Sequence, residues 1–377
     1  MRKMKLIALK DVCKINMGQS PNSSNYNDYG DGMPFFQGNA DFGERYPITR
    51  VWCNTPTKIA QAEDILISVR APIGALNYAK EECCIGRGLA AITPDRNKVS
   101  QDFIYWALKG KKAELNDKGN GSTFKAISRK ILEQTMIPDI NFEQQHKCAE
   151  NLEKIYGIIQ NRRKELLALD DLIKARFVEM FGSIHESTKY PYIAVKDLTD
   201  VISGGTPSRD RSEYWYNGTI PWVKTTELQN NVIKNVDEHI TESGLAGSSA
   251  KMVPIGTVLV AMYGQGKTRG MTAYLGIEAS TNQACACILP SEKIDSMFMW
   301  KYFELSYDKL RSLAQGAGQP NLNGNMIKNF QVLVPPIELQ KEFVSFVEQV
   351  DKSKVAVQKA LDETQTLFDS LMQEYFG

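Results

Sequence analysis

Ala8-Leu9-Lys10-Asp11-Val12 returns 186 residues later as Ala194-Val195-Lys196-Asp197-Leu198. At the same offset Gly18-Gln19-Ser20-Pro21 becomes Gly204-Gly205-Thr206-Pro207. Gly32-Met33-Pro34-Phe35-Phe36 pairs with Gly218-Thr219-Ile220-Pro221-Trp222 after one inserted residue. The β-type run Asp64-Ile65-Leu66-Ile67-Ser68 matches Thr257-Val258-Leu259-Val260-Ala261. Further on, Ile137-Pro138 corresponds to Val334-Pro335. Glu179-Met180-Phe181-Gly182 corresponds to Glu374-Tyr375-Phe376-Gly377, where the offset has grown to 195. The order never breaks and the offset drifts only through small insertions, so one structural unit is written twice.

Each copy has two parts. Residues 1–140 and 183–336 hold short β-branched and aromatic runs, Gly/Asn/Pro turns and a few helical pieces such as 101–112, which predicts mixed α/β domains. One long helix follows each, over residues 141–182 and 337–377. In the first, Leu152, Ile155, Ile159, Leu166, Leu169, Ile173 and Phe177 step by three and four, with no internal proline and a lone Gly157. In the second, Phe343, Phe346, Val350, Val357, Ala360, Leu367 and Leu371 do the same. A helix of about 40 residues is ~60 Å long. With a single apolar seam it is unstable alone in water, whereas two such helices bury their seams on each other. The expected class is therefore α+β: two tandem mixed α/β domains separated by two long, antiparallel, paired helices in a pseudo-two-fold repeat. Antiparallel pairing would put the mixed domains at opposite ends, which suits two half-sites of opposite polarity on one duplex. The plainer alternative is a coiled coil that only dimerises.

Hydrophobic residues at 42% and charged residues at 24% describe an ordinary globular chain of two or three domains. No stretch approaches the ~20 apolar residues that cross a bilayer, and no apolar signal region follows Met1-Arg2-Lys3-Met4, so a cytoplasmic location without a membrane partner is expected. The seven cysteines agree, being irregularly spread, odd in number and without a C-x-x-C; Cys285-x-Cys287 reads as buried strand. Formal net charge is +1, but residues 1–140 carry 20 Lys/Arg against 15 Asp/Glu, and residues 337–377 carry 4 against 8. Affinity for nucleic acid must then come from local patches and be salt-sensitive.

Catalytic motifs are missing or broken. Pro335-Pro336 lies between Val334 and Ile337, which cannot hold an adenine amino group as the (Asp/Asn/Ser)-Pro-Pro-(Tyr/Phe) methyltransferase motif does. No Asp/Glu-x-Lys triplet, as a metal nuclease needs, occurs in the chain, and His146, His185 and His239 read as surface residues rather than an acid–base pair. The run 258–268 comes nearest to a P-loop, but its first required glycine is Ala261 and the residues after Thr268 read as loop and strand. A Gly-rich hairpin carrying Lys267 and Arg269 toward a nucleic acid fits better; Gly264-x-Gly266 also lacks the third glycine of a dinucleotide fingerprint. No catalytic, cofactor-binding or metal-binding residue is expected in this chain.

The stretch Ile202-Ser203-Gly204-Gly205-Thr206-Pro207-Ser208, with residues 214–228 after it (Tyr214-Trp215-Tyr216, then Ile220-Pro221-Trp222-Val223-Lys224), resembles the opening of a target recognition domain in the DNA-specificity (S) subunits of type I restriction–modification enzymes. Val334-Pro335-Pro336-Ile337-Glu338-Leu339-Gln340 ahead of a long helix resembles that family's entry to a spacer helix. Met17-Gly18-Gln19-Ser20-Pro21 and Phe35-Phe36-Gln37-Gly38-Asn39 are looser matches. The resemblance implies a non-catalytic chain that reads a bipartite site on double-stranded DNA through the major groove, with the helices setting the gap. It implies methyltransferase (modification) and restriction/translocase subunits as partners, with S-adenosylmethionine, ATP and magnesium on those subunits. Two other readings stay open. One is the specificity subunit of a bipartite-site system with a fused nuclease–methyltransferase partner. The other is a coiled-coil adaptor joining two protein-binding domains.

For DNA contact the second copy offers Thr206, Ser208, Arg209 and Arg211; then Lys224, Thr225 and Thr226; then Gln265, Lys267 and Arg269. Asn282, Gln283, Gln319, Asn321 and Asn323 complete that set. The first copy offers Gln19, Ser20, Asn22, Gln37, Asn39, Arg70, Arg87 and Lys125. Arg reads guanine and Asn or Gln reads adenine by paired hydrogen bonds, while Lys, Ser and Thr more often hold phosphate. Asn, Gly and Ser are equally turn-formers. Tyr214-Trp215-Tyr216 suits base stacking or core packing.

Overall fold

The computed structural model describes residues 5–119, 125–264, 266–315 and 320–377. They form two compact units, residues 1–164 with 358–377, and residues 165–357.

In the first unit the strand Ile65–Ser68 is wholly buried, which is why its sequence is a continuous apolar run without alternation. It pairs antiparallel with Leu89–Pro94 on one side and Leu76–Tyr78 on the other, and Cys13–Met17 lies beyond Leu89–Pro94. A second sheet takes the order Tyr26–Asn27, Trp52–Cys53, Met33–Phe36, Cys83–Ile85, Ile59–Ala60, with Met33–Phe36 parallel to Cys83–Ile85. The second unit repeats the plan. Val258–Ala261 is its buried central strand, between Cys285–Ile288 and Thr272–Leu275. A smaller sheet sets Ile220–Val223 between Glu238–Ile240 and Ser280–Thr281, parallel to the latter. Cys285 and Cys287 are buried in their strand and unbridged.

Two helices of 40 residues each, Phe142–Phe181 and Ile337–Phe376, follow the mixed regions. Each unit contains the leading part of one and the closing part of the other, and within each unit the two segments run antiparallel. In the first, Asn151 Nδ2 donates to Tyr375 Oη at 3.3 Å and the Tyr156 and Phe368 rings lie 6.0 Å apart. In the second, Asp170 pairs with Lys354 at 2.5 Å and Arg176 with Glu342 at 2.8 Å. The packing repeats to the residue: Phe103 and Phe376 lie 5.6 Å apart in the first unit, Phe298 and Phe181 5.6 Å apart in the second. Each helix entry is fixed by a buried glutamine. Gln145 Oε1 accepts from Ser100 N–H at 2.7 Å, and Gln340 Oε1 from Asp295 N–H at 2.9 Å.

Two sequence expectations need correction. Leu367 is 51% exposed, and Leu361 and Phe368 are buried instead. The seam of the second helix runs through 354, 357, 361, 364 and 368, where Lys354 and Thr364 are polar, so tracking apolar residues alone slips by one position. His185 is half-buried against Tyr302, and burial lowers its pKa; His146 and His239 are exposed. Among the described residues no helix is long and apolar enough to cross a membrane.

Candidate nucleic-acid interface

In the first unit the parallel strands Met33–Phe36 and Cys83–Ile85 end at one edge, and their loops lock together. Gly86 N–H donates to Phe36 O at 2.8 Å, Gly88 N–H to Gln37 O at 3.2 Å and Gln19 N–H to Ile85 O at 3.0 Å. A Cβ on Gly86 would lie 2.6 Å from Gln37 Oε1, and one on Gly88 2.4 Å from Gln37 O. Glycine is therefore needed at 88, where two backbones touch, while at 86 a Cβ would press on the Gln37 side chain. Ser20 Oγ accepts from Gln37 Nε2 at 2.9 Å and from Arg87 N–H at 3.2 Å. Val69 N–H donates to Gly88 O at 2.9 Å and Ala71 N–H to Lys125 O at 3.1 Å, bringing the segments that bear Arg70 and Lys125 to the same edge. Arg70, Arg87 and Lys125 are exposed, and among the described residues none has an ion-pair partner. Asn22 and Asn39 have local roles as well. Asn22 caps the turn Ser23–Asn25, and Asn39 opens the turn whose Asp41 accepts Gln37 N–H at 2.7 Å.

The second unit carries the same frame with different side chains. Asn282 N–H donates to Val223 O at 3.0 Å, Met262 N–H to Ala284 O at 2.8 Å, Gly205 N–H to Thr281 O at 2.8 Å and Leu322 N–H to Met262 O at 3.0 Å. The Thr206 hydroxyl donates to Gln283 Oε1. The Arg209 guanidinium lies 3.6 Å from the Trp215 ring centre, and Trp215 stands edge-on to Trp222 at 5.0 Å. Glu238 accepts from Arg209 at 2.6 Å and from Lys224 at 2.9 Å. Burial would raise the Glu238 pKa, but the hydrogen bonds from Lys224 and Arg209 outweigh it and hold the carboxyl below its usual range. Thr225 and Thr226 lie in the turn Thr225–Glu227, whose Glu227 accepts Lys224 N–H at 2.7 Å.

The structure thus gathers Thr206, Ser208, Arg209, Lys224, Thr225, Thr226, Asn282 and Gln283 along one edge of the unit, continuous through Met262 with the 321–323 segment. The Gly-rich segment joins Val258–Ala261 to its antiparallel partner strand Thr272–Leu275, so it is a hairpin and not a P-loop. Lys267 is exposed on it, whereas Arg269 turns inward and donates to Pro320 O. Arg211 reaches the Tyr214 hydroxyl. Asn321 is half-buried, and Asn323 caps the helix Gly324–Lys328 by accepting Met326 N–H at 3.0 Å. Of the aromatic run, Tyr214 is buried, Trp215 half-buried and Tyr216 77% exposed. Gln265 and Gln319 lie outside the described residues.

Sequence reasoning missed Glu238, Tyr307 and Arg311. Tyr307 Oη donates to Lys267 O at 2.7 Å and Arg311 Nη1 to Arg269 O at 2.8 Å, tying the hairpin to the helix Tyr307–Ser312. Glu238 faces Trp222 across a strand pair. A lone glutamate in a short strand carries no signal of that pairing.

A family model described as the type I restriction modification DNA specificity domain matches residues 1–169 and 187–364. The chain belongs to this family. A Methanocaldococcus jannaschii protein named as specificity subunit of the type I restriction enzyme MjaX is 47% identical over 152 residues, 40% of this chain and 36% of that protein. The specificity subunit of enzyme MjaIX from the same organism is 21% identical over 392 residues, 97% of this chain and 90% of its relative. The type I restriction–modification S subunit from M. genitalium, in its crystal structure, has the same fold. Its TM-score is 0.62 at 15% identity, covering 100% of this chain and 97% of that one. The two loop frames described above are therefore parts of one specificity subunit.

Proposed function

We propose that this specificity subunit is a non-catalytic reader of a split double-stranded DNA target, each unit contacting one half-site through its loop edge in the major groove. Methyltransferase subunits would bring S-adenosylmethionine, and restriction/translocase subunits ATP and magnesium, to the site it selects, in the cytoplasm. The carrying observation is the doubled frame: one set of backbone hydrogen bonds presents Ser20, Gln37 and Arg87 in the first unit and Thr206, Lys224 and Gln283 in the second. A conserved scaffold with interchanged polar tips is what reading two different half-sites requires. The exposed cations Arg70, Lys125 and Lys267 would add sequence-independent, salt-sensitive phosphate contacts.

The test is a genome-wide map of methylated adenines in cells that express the neighbouring methyltransferase with and without this chain. A split motif that disappears with the chain supports the proposal. An unchanged pattern, with the methyltransferase active, overturns it and moves the adaptor reading to first place.

A further inference from the structure

We infer that Arg87 and Gln283 are equivalent base readers, Arg87 taking a guanine in one half-site and Gln283 an adenine in the other. The inference rests on the DNA-reading role proposed above. The sequence copies do not reveal the equivalence, because the two loop tips share no residue. The backbone bonds establish it. Gly86 N–H reaches Phe36 O, and Asn282 N–H reaches Val223 O; the residues after the two donors are Arg87 and Gln283. The next carbonyl in each loop, Gly88 O or Ala284 O, accepts from Val69 N–H or Met262 N–H. Each tip residue is thus clamped on both sides at the same place in the same frame.

Both tips also touch the first loop of their unit, at residues that are themselves equivalent in the repeat. Arg87 N–H donates to Ser20 Oγ, and Gln283 Oε1 accepts from the Thr206 hydroxyl. Held by three loops, these backbones need no rearrangement to meet a ligand, while both side chains remain exposed. Arg209 and Lys224 are both engaged by Glu238, whereas Arg87 has no carboxylate partner among the described residues. Its paired guanidinium donors match guanine O6 and N7. The Gln283 amide, oriented by Thr206, keeps its Nε2 donors and a second Oε1 lone pair for adenine N7 and N6.

The experiment maps methylated adenines for the unaltered chain, Arg87→Gln and Gln283→Arg, each with its methyltransferase. Arg87→Gln is expected to change one guanine position in one half of the split motif and leave the other half intact. Gln283→Arg should change one adenine position in the opposite half. Both variants methylating the original motif unchanged would overturn the reader assignment. A motif independent of the chain overturns instead the DNA-reading role beneath it. For a variant complex that no longer methylates, binding to duplexes carrying single base-pair changes decides. The unaltered complex should discriminate that base pair by about tenfold to a hundredfold, and the variant should lose this preference alone. A uniform loss across all duplexes with every preference kept would make the residue a phosphate contact and overturn the inference.

Discussion

Glu238 links two cations of the second unit, Arg209 and Lys224, and under the proposed DNA-reading role its charge would set how much of theirs is available to phosphate. Glu238→Gln keeps the shape and removes the charge. Binding of the complex to unrelated duplex should tighten, and the logarithmic salt slope should steepen by up to about 2, since each phosphate contact contributes about −0.9. Titrations at several salt concentrations read this, and an unchanged slope removes Arg209 and Lys224 from the contact surface. In the first unit Lys109 Nζ lies 3.6 Å from the Tyr156 ring centre and 4.7 Å from that of Trp106. Burial, opposed by Glu153, brings its pKa down from 10.5 to about 8. Between those values the unfolded chain binds more protons than the folded one. This group's contribution therefore makes stability rise with pH from about 8 to 10.5, and its full penalty applies below 8. The cation–π contact offsets part of the desolvation, leaving an effect of about 1–3 kcal/mol. Lys109→Met should flatten that part of the pH profile in denaturant melts measured above and below pH 8.

At the scale of elements, the long helices owe their stability to side-chain packing rather than propensity. Within the first unit Phe368 is buried beside Trp106 at 5.7 Å, while Leu367 faces outward. Phe368→Ala should cost about 3–5 kcal/mol in unfolding free energy, and Leu367→Ala no more than about 0.5 kcal/mol. Equal costs would mean that the seam runs where the apolar spacing alone puts it. The polar seam position Lys354, paired with Asp170 at 2.5 Å, favours one register over its neighbours by ion pairing, as polar seam residues do in coiled coils.

At the scale of the whole molecule, each unit is closed by chain that is remote in sequence. Residues 358–377 belong to the unit that begins at the N-terminus, where Phe376 packs on Phe103 and its carbonyl accepts from Lys111 Nζ at 3.0 Å. Truncation after Val357 should therefore loosen the first unit and not the second. Hydrogen exchange should quicken over residues 101–117 and 142–164 while the 258–288 strands keep their protection. Faster exchange confined to the second unit would contradict that division.

The sequence by itself determined the doubled architecture, because order and spacing are preserved wherever both copies must form the same buried strand or helix entry: Ile65–Ser68 with Val258–Ala261, and Ile137-Pro138 with Val334-Pro335. It also gave both long helices, whose three- and four-residue steps are a local property of the chain. Most of the polar loop residues it singled out do lie on the two frames, since turn chemistry is local too. Only the tertiary structure decided which of them face outward. Arg269 and Arg87 look alike in sequence, yet one donates to Pro320 O and the other stands clamped between glycines with its guanidinium exposed. The same holds for Glu238, for the inward Lys354 and for the slip at Leu367. Each depends on a partner distant in sequence, which the residue's own neighbours in the chain do not specify.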